Sequence, residues 1–461
     1  MGRHRAAVAT GWPDTFSSKA GSLRTMVILY LAALCLAQST KFQGDHLGFL
    51  DNGTIRVGVN LNLGGAITYL SKSGSDVNVV NSADWGRQIQ MSHYSGPVPF
   101  APSGNKPAKA WEGLGWNPIQ SGDAFGNRSK VLAYRNDGKS IYVKCTPMQW
   151  PLNNVPGECT FECWLRLDGQ AVQVRSRLVN ARSDHTQFEG RGQELPAVYT
   201  NGPWYRLMTY TGDKPFTNDV LSQRPSVFMW TGWQATENWA ALLDDSGFGL
   251  GVWHPGVYSF IGGFFGQAGA DGPHDSATGY IAPVFNEVID WNIVYDYKYT
   301  LILGKLDEIR SYVYRHAKRP SPPDYNFARD RQHWIYHGAV DQGWPIHRGL
   351  RVSLTAPTAQ LVGPDGLWLA ADTTKLVTEA AFSGLKSQPI LYWKRADDPA
   401  FTESKSQRIT AVTDGKVHRL EIDLSQNPEY RGTITGIRIG LVKDSELLAS
   451  CDIRRISIRK N

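Results

Sequence analysis

Glu194 is the carboxylate whose surroundings point most directly to acid–base chemistry. It lies in Arg191-Gly-Gln-Glu-Leu-Pro-Ala-Val-Tyr199, where Pro196 interrupts a strand pattern and Tyr199 and Tyr205 follow. A carboxyl beside aromatic side chains has its pKa raised by burial and can serve as an acid. Cleavage of a glycosidic bond by water takes two carboxyl groups, one protonating the leaving oxygen and one attacking or activating water. Asp244 and Asp245 offer the second, with Asp245 taken forward as the catalytic candidate and Glu237 and Glu287 as alternatives. The structural reading of Glu194 is a loop carboxylate bonded to Arg191 or to backbone amides. That of Asp244-Asp-Ser-Gly is an ordinary β-turn.

Elimination chemistry needs a base for the proton beside a uronate carboxyl, an acid for the leaving oxygen, and a cation for the carboxylate. His93-Tyr94, preceded by Arg87, supplies all three residue types, and His254 and His274 are further bases. Each histidine also has a packing reading, and Arg87 equally suits a turn anchor that bonds carbonyls.

The chain holds 16 Trp and 19 Tyr, far more flat rings than its chemistry-bearing residues require. Rings with an apolar face and a polar edge match the C–H faces and hydroxyl rim of a sugar. Trp111, Trp116 and Trp204, set in loop-like sequence, are the preferred stacking platforms, with Tyr199 and Tyr205 as further binding residues. Trp85, Trp230, Trp233 and Trp253 follow, and strand members such as Trp164 and Trp239 read as core. Asp271-Gly-Pro-His-Asp275 offers oxygen atoms to calcium but lacks the ligand count of a calcium loop. His333 and His337 have helical spacing without the glutamate of a zinc protease motif. No metal or other cofactor is therefore expected. Gly247, Gly249 and Gly251 sit between two strand patterns with no helix start, which is hairpin chemistry rather than a nucleotide loop.

The 461 residues carry a formal charge of +6 with the basic residues dispersed, so nucleic acid is an unsuitable partner. Met26 to Ala37, MVILYLAALCLA with Arg24 before it, has the length of a signal-peptide core and is too short for a comfortable membrane span. Residues 1–39 are therefore expected to be a leader, and the protein to be secreted. Asn52-Gly-Thr and Asn127-Arg-Ser are glycosylation triplets compatible with that route. Cys159 and Cys163 would lie about 13 Å apart along one strand face, beyond the reach of about 7 Å for a disulfide. Cys145 can pair with either across a hairpin, and Cys451 reads as a lone buried thiol.

The elements that must position these groups are strands. Period-two runs over 54–59, 66–70, 140–145, 159–167, 171–179, 205–210, 239–245, 249–254 and 295–303 are punctuated by Asn-Gly, Asp-Gly and Asp-Ser-Gly turns. That predicts antiparallel β architecture. One helix is expected in LDEIRSYVYRH, with Leu306, Ile309 and Val313 on one face, acids in the first turn and bases in the last. Residues 45–317 form the first domain in this reading, 318–332 a stiff Pro-rich linker, and 333–461 a smaller β-sandwich or jelly roll. Ser95 to Ser129 reads as a long functional loop.

Asp51-Asn-Gly-Thr-Ile-Arg-Val-Gly-Val, Gly64-Gly-Ala-Ile, Asp84-Trp-Gly-Arg-Gln-Ile-Gln and Trp239-Ala-Ala-Leu-Leu-Asp-Asp-Ser-Gly-Phe-Gly resemble the large galactose-mutarotase-like β-supersandwich of carbohydrate-active proteins. Asp414-Gly-Lys-Val-His-Arg-Leu-Glu-Ile-Asp-Leu, Ile434-Thr-Gly-Ile-Arg-Ile and Ile453-Arg-Arg-Ile-Ser-Ile resemble the carbohydrate-binding sandwich modules attached to polysaccharide-degrading enzymes. The resemblance implies an all-β protein that acts on a polysaccharide or oligosaccharide, as a glycoside hydrolase or a polysaccharide lyase. The alternatives are a lectin-like binder without catalysis and an extracellular structural module; fold alone does not choose among them.

Overall fold

The computed structural model describes residues 46–225 and 230–460. The expected leader, including Cys35, lies outside them. The chain is all-β, and every strand pair is antiparallel. Strands such as Ser140–Thr146 and Cys159–Asp168 alternate buried and less buried positions, as their period-two sequences dictate.

The first unit holds three sheets. A three-stranded sheet joins Leu47–Asp51, Ile55–Asn60 and Ala66–Lys72. A nine-stranded sheet has Val294–Lys305 and Ala171–Asn180 near its centre, and the two pair over nine positions. A seven-stranded sheet orders Thr231–Gln234, Ser259–Phe265, Thr278–Glu287, Arg191–Asn201, Gln90–Ser92, Pro118–Ile119 and Met148–Gln149. One apolar core draws on all three: Val57 and Leu70, Phe161 and Leu165, Leu195 and Ile281 are buried together. Apolar burial of about 25 cal/mol per Å² makes this shared core the main source of cohesion.

The helix Leu306–His316 forms where expected and covers the outer side of the nine-stranded sheet. Ile309, Tyr312 and Val313 pack on Ile302, Trp239 and Trp253. Glu308 closes its first turn by accepting from the backbone N–H of Lys305 at 2.7 Å.

The second unit is two facing sheets around a separate core that includes Val352, Phe382 and Ile453 from one and Leu361, Trp393 and Ile439 from the other. The stretch expected as linker belongs largely to this unit. Asp324–Asn326 pairs with Arg455–Ser457, and Phe327 is fully buried in the second core. Tyr325 and Phe327 follow the same alternation as any strand, and the prolines end just before them.

Cys145, Cys159, Cys163 and Cys451 are all free and buried. Cys145 stands opposite Phe161 in the strand register, between the two cysteines offered as partners, so neither bridge forms. Burial pushes the Cys163 thiol up to about 11, which keeps it protonated and unreactive. A reducing agent is expected to leave the melting temperature unchanged. A fall of several degrees on adding dithiothreitol would show a bridge.

Candidate functional site

The site rests on an irregularity in the seven-stranded sheet. Arg191–Asn201 pairs with Thr278–Glu287, but the register slips: Glu194 faces Val284 and Val198 faces Ile281. Three residues on one strand thus oppose two on the other, which is a β-bulge. In a regular strand Glu194 and Tyr199, five apart, would point to opposite faces. The extra residue puts both on the outer face, while Leu195 and Val198 enter the core. Pro196 and Pro283, which have no N–H to offer a ladder, lie where the pairing is already broken.

Two tyrosine hydroxyls meet at Glu194. Tyr94 Oη donates to Oε2 at 3.0 Å, and Tyr280 Oη donates to Oε1. The Tyr280 ring packs on Tyr199 with centroids 4.7 Å apart and lies 5.8 Å from that of Trp230. Glu194 keeps 9% of its surface exposed and Tyr280 none, so the carboxyl sits at the bottom of the face. Burial raises its pKa; the two tyrosine hydroxyls oppose the shift, and the net movement is upward. The same burial, reinforced by the Glu194 charge, holds Tyr280 well above the ordinary phenol range. A carboxyl with a raised folded-state pKa stabilises the fold fully at pH below its unfolded value and loses that contribution as pH rises through the folded one. Glu194→Gln is therefore expected to be at least as stable as the parent, with its advantage growing from acid to neutral pH. Denaturant melts at several pH values test this, and an advantage that shrinks with rising pH would contradict it.

Arg191 borders the cluster. Its guanidinium carbon lies 5.9 Å from the Tyr94 ring centroid, Nη1 donates to the carbonyls of Leu114 and Ser95, and Nη2 donates to that of Gly113. It has no carboxylate partner among the described residues, and burial lowers its pKa. These bonds pin the end of the long loop expected to be functional. That loop carries Trp111, which packs edge-on against Trp150 at 5.6 Å, in a cluster that also holds Trp85 and Tyr94.

The other expected site residues lie elsewhere. His93, next to Tyr94 on the chain, points the opposite way. It is fully buried among Phe161, Tyr295 and Tyr297, and burial pushes its pKa down to about 4. It is a neutral core group and does not join Tyr94. Arg87 ion-pairs with Asp84 at 3.0 Å and donates to the Ser276 carbonyl at 2.8 Å, so it anchors a turn. Trp116 and Trp204 fill the core, and Trp253 is buried against the helix. Tyr205 Oη donates to Asp245 at 2.5 Å at the Asp-Asp-Ser-Gly hairpin, which places Asp245 with Tyr205 and not with Glu194. Glu237 is committed to Arg310, Tyr314 and Trp239. His254 and Glu287 line or border the cleft between the two units. His333 lies in a left-handed turn and His337 ends a strand, so the two do not share a helix face.

Asp275 accepts from the Gly272 N–H within its own turn. Among the described residues no group of three or more His, Cys, Asp or Glu is arranged to hold a metal. The side-chain amide of Asn52 donates to the Gly169 carbonyl, and that of Asn127 to Asp123 and Asn153. The sequence pattern does not single out Tyr280. Its signal was the outward series Tyr280, Ala282, Val284, masked by Pro283 and by the burial of nearly the whole strand.

No family model matches the chain, and no curated protein matches it. Solved structures to which it is similar include a galactose mutarotase related enzyme from Lactobacillus acidophilus, at 13% identity over 56% of this chain and 97% of that one, with a TM-score of 0.36. A galactose mutarotase-like protein from Lactobacillus casei gives 10% identity over 56% and 99%, also at 0.36. A 4-alpha-glucanotransferase from Thermococcus litoralis gives 11% identity over 60% and 42%, at 0.30.

Proposed function

We propose that this chain is a secreted protein that binds an acidic polysaccharide on the outer face of the seven-stranded sheet and cleaves it by elimination. The observation that carries the reading is the buried Glu194 carboxyl held by two tyrosine hydroxyls, beside a guanidinium that has no carboxylate partner among the described residues. Arg191 suits the sugar carboxylate, whose charge must be offset when the adjacent C–H is ionised. Ionised Glu194 takes that proton, the C–H electron pair becomes the new C=C bond, and the bond to the leaving oxygen breaks. Tyr94 gives its proton to that oxygen and recovers one from Glu194, so the pair ends as it began. Burial raises the Glu194 pKa, the direction that suits a carboxyl that takes and returns a proton.

Two-carboxylate hydrolysis is less well supported, because Asp245 and Glu237 are engaged away from Glu194. Digestion of a panel of uronate-containing and neutral polysaccharides tests the reading. Unsaturated-uronate absorbance is the expected product signal. Reducing ends without that absorbance would indicate hydrolysis, and binding without either would indicate a lectin-like protein.

A further inference from the structure

The cleft between the two units carries a second set of polar groups around a cavity of about 320 Å³. That volume is in the range of small-ligand pockets. The first unit contributes His254, Tyr258 and Phe285, and the second contributes Tyr325, His333 and Asp365. A smaller pocket shares Tyr258, Phe285, His333 and Asp365 and continues toward His337 and Arg438, so the two make one trough.

Four features of this trough have no role in the sheet-face chemistry. His254 is 6% exposed and its Nε2 has no partner among the described residues, although the side chain lines the cavity. The His337 Nδ1 is likewise buried without a partner. His333 is held by Glu287 through Nδ1, and Glu287 also accepts from Tyr295 Oη at 2.9 Å. The His333 ring lies flat on Phe285, with centroids 4.0 Å apart, and both Gln332 and His333 adopt left-handed backbone. Non-glycine residues in that region cost free energy and are kept where the surroundings hold them, often at ligand sites.

We infer that the trough between the units is a second binding site, for a neutral sugar residue, in which His254 Nε2 and Asp365 bond hydroxyls and the rings of Tyr258 and Tyr325 pack on its C–H face. The charge pattern selects a neutral ligand. The carboxylates that ring or border the cavity are already paired, Asp365 with Lys394 and the Ser259 hydroxyl, Asp296 with Arg175 and Arg177, and Glu287 with His333, and burial keeps His254 uncharged down to about pH 4. An anionic sugar would find those cations already committed to carboxylates, whereas neutral hydroxyls can donate, one to a remaining lone pair of Asp365 and another to Nε2 of the imidazole, whose Nδ1–H faces the Pro255 carbonyl. Arg438, at the far end of the trough, is stacked on Tyr392 and Phe401.

The test is calorimetric titration of the full chain with methyl glycosides of glucose, galactose and mannose, and with cellobiose, beside a uronate disaccharide. At least one neutral probe is expected to bind in the wild type. His254→Phe, which keeps the ring packing, and Asp365→Asn should each weaken that binding about tenfold, the loss of one or two hydrogen bonds. Melting curves identify a variant that fails to fold, and the other then decides. Glu194→Gln should leave this neutral binding in place, which separates it from the sheet-face reading. Failure of every neutral probe to bind overturns the inference, as does neutral binding that survives both substitutions or is lost only in Glu194→Gln.

Discussion

Glu194→Gln is expected to lower turnover of the acidic polymer by about 10²- to 10⁴-fold, the usual contribution of a positioned acid–base group. The amide keeps the shape of the side chain and one acceptor oxygen, so one tyrosine still donates to it while the other must turn to accept from the NH2, and the amide can neither take nor return a proton. The loss should fall on kcat, with KM little changed, because the sugar is held mainly by Arg191 and the aromatic rings. Tyr94→Phe should reproduce much of the defect, since it removes the O–H that delivers the proton. In the parent, kcat/KM should rise as pH passes the Glu194 pKa, which burial places above the ordinary carboxylate value. A Glu194→Gln enzyme with undiminished kcat would end the relay, however well it bound.

Arg331→Met is expected to be the most destabilising single change away from that face. Arg331 is 3% exposed and ion-pairs with Asp290 of the first unit and Asp341 of the second, both at 2.5 Å. Gln187 bonds the same two carboxylates. Removing the cation strands two buried charges, which costs about 3–5 kcal/mol. Burial alone would raise the Asp341 pKa, but the hydrogen bond and charge of Arg331 overcome it and hold the group below its usual value. That contribution to stability is present above the unfolded-state pKa and is lost as pH falls through the folded one. The parent should therefore weaken in acid, and the gap between parent and Arg331→Met should narrow there. Because the triad joins the units, calorimetry of the variant should also show their melting separate. Arg331→Met combined with Asp290→Asn and Asp341→Asn should recover part of the loss, because no stranded charge remains.

Much of this architecture was readable in the chain. Alternating runs such as Ser140–Thr146 have one face on the core, so their period survives in the sequence. The helix showed because its apolar stripe, its acids and its bases agree. The strands that build the site were less visible. Arg191–Asn201 and Thr278–Glu287 are buried on nearly every residue and each contains a proline, so neither alternates. Glu194 was legible from its aromatic company. Its partner Tyr280 was not, because a bulge decides which residues share a face, and a bulge is a property of two paired strands. His93 shows the converse: just past the strand Gln90–Ser92 adjacent residues point apart, so His93-Tyr94 supplies the site with the tyrosine and the core with the imidazole. The all-β fold thus follows from pattern, whereas the site follows from register.

The proposed elimination requires an acidic sugar lying against Glu194. The most direct measurement is a crystal structure of Glu194→Gln bound to an intact uronate oligosaccharide that the variant cannot cleave. A sugar carboxylate is expected at Arg191, with a ring within hydrogen-bond reach of residue 194 and Tyr94. Oligosaccharide found only in the trough between the units, or ordered on another face with Arg191 and Tyr94 untouched, would contradict it.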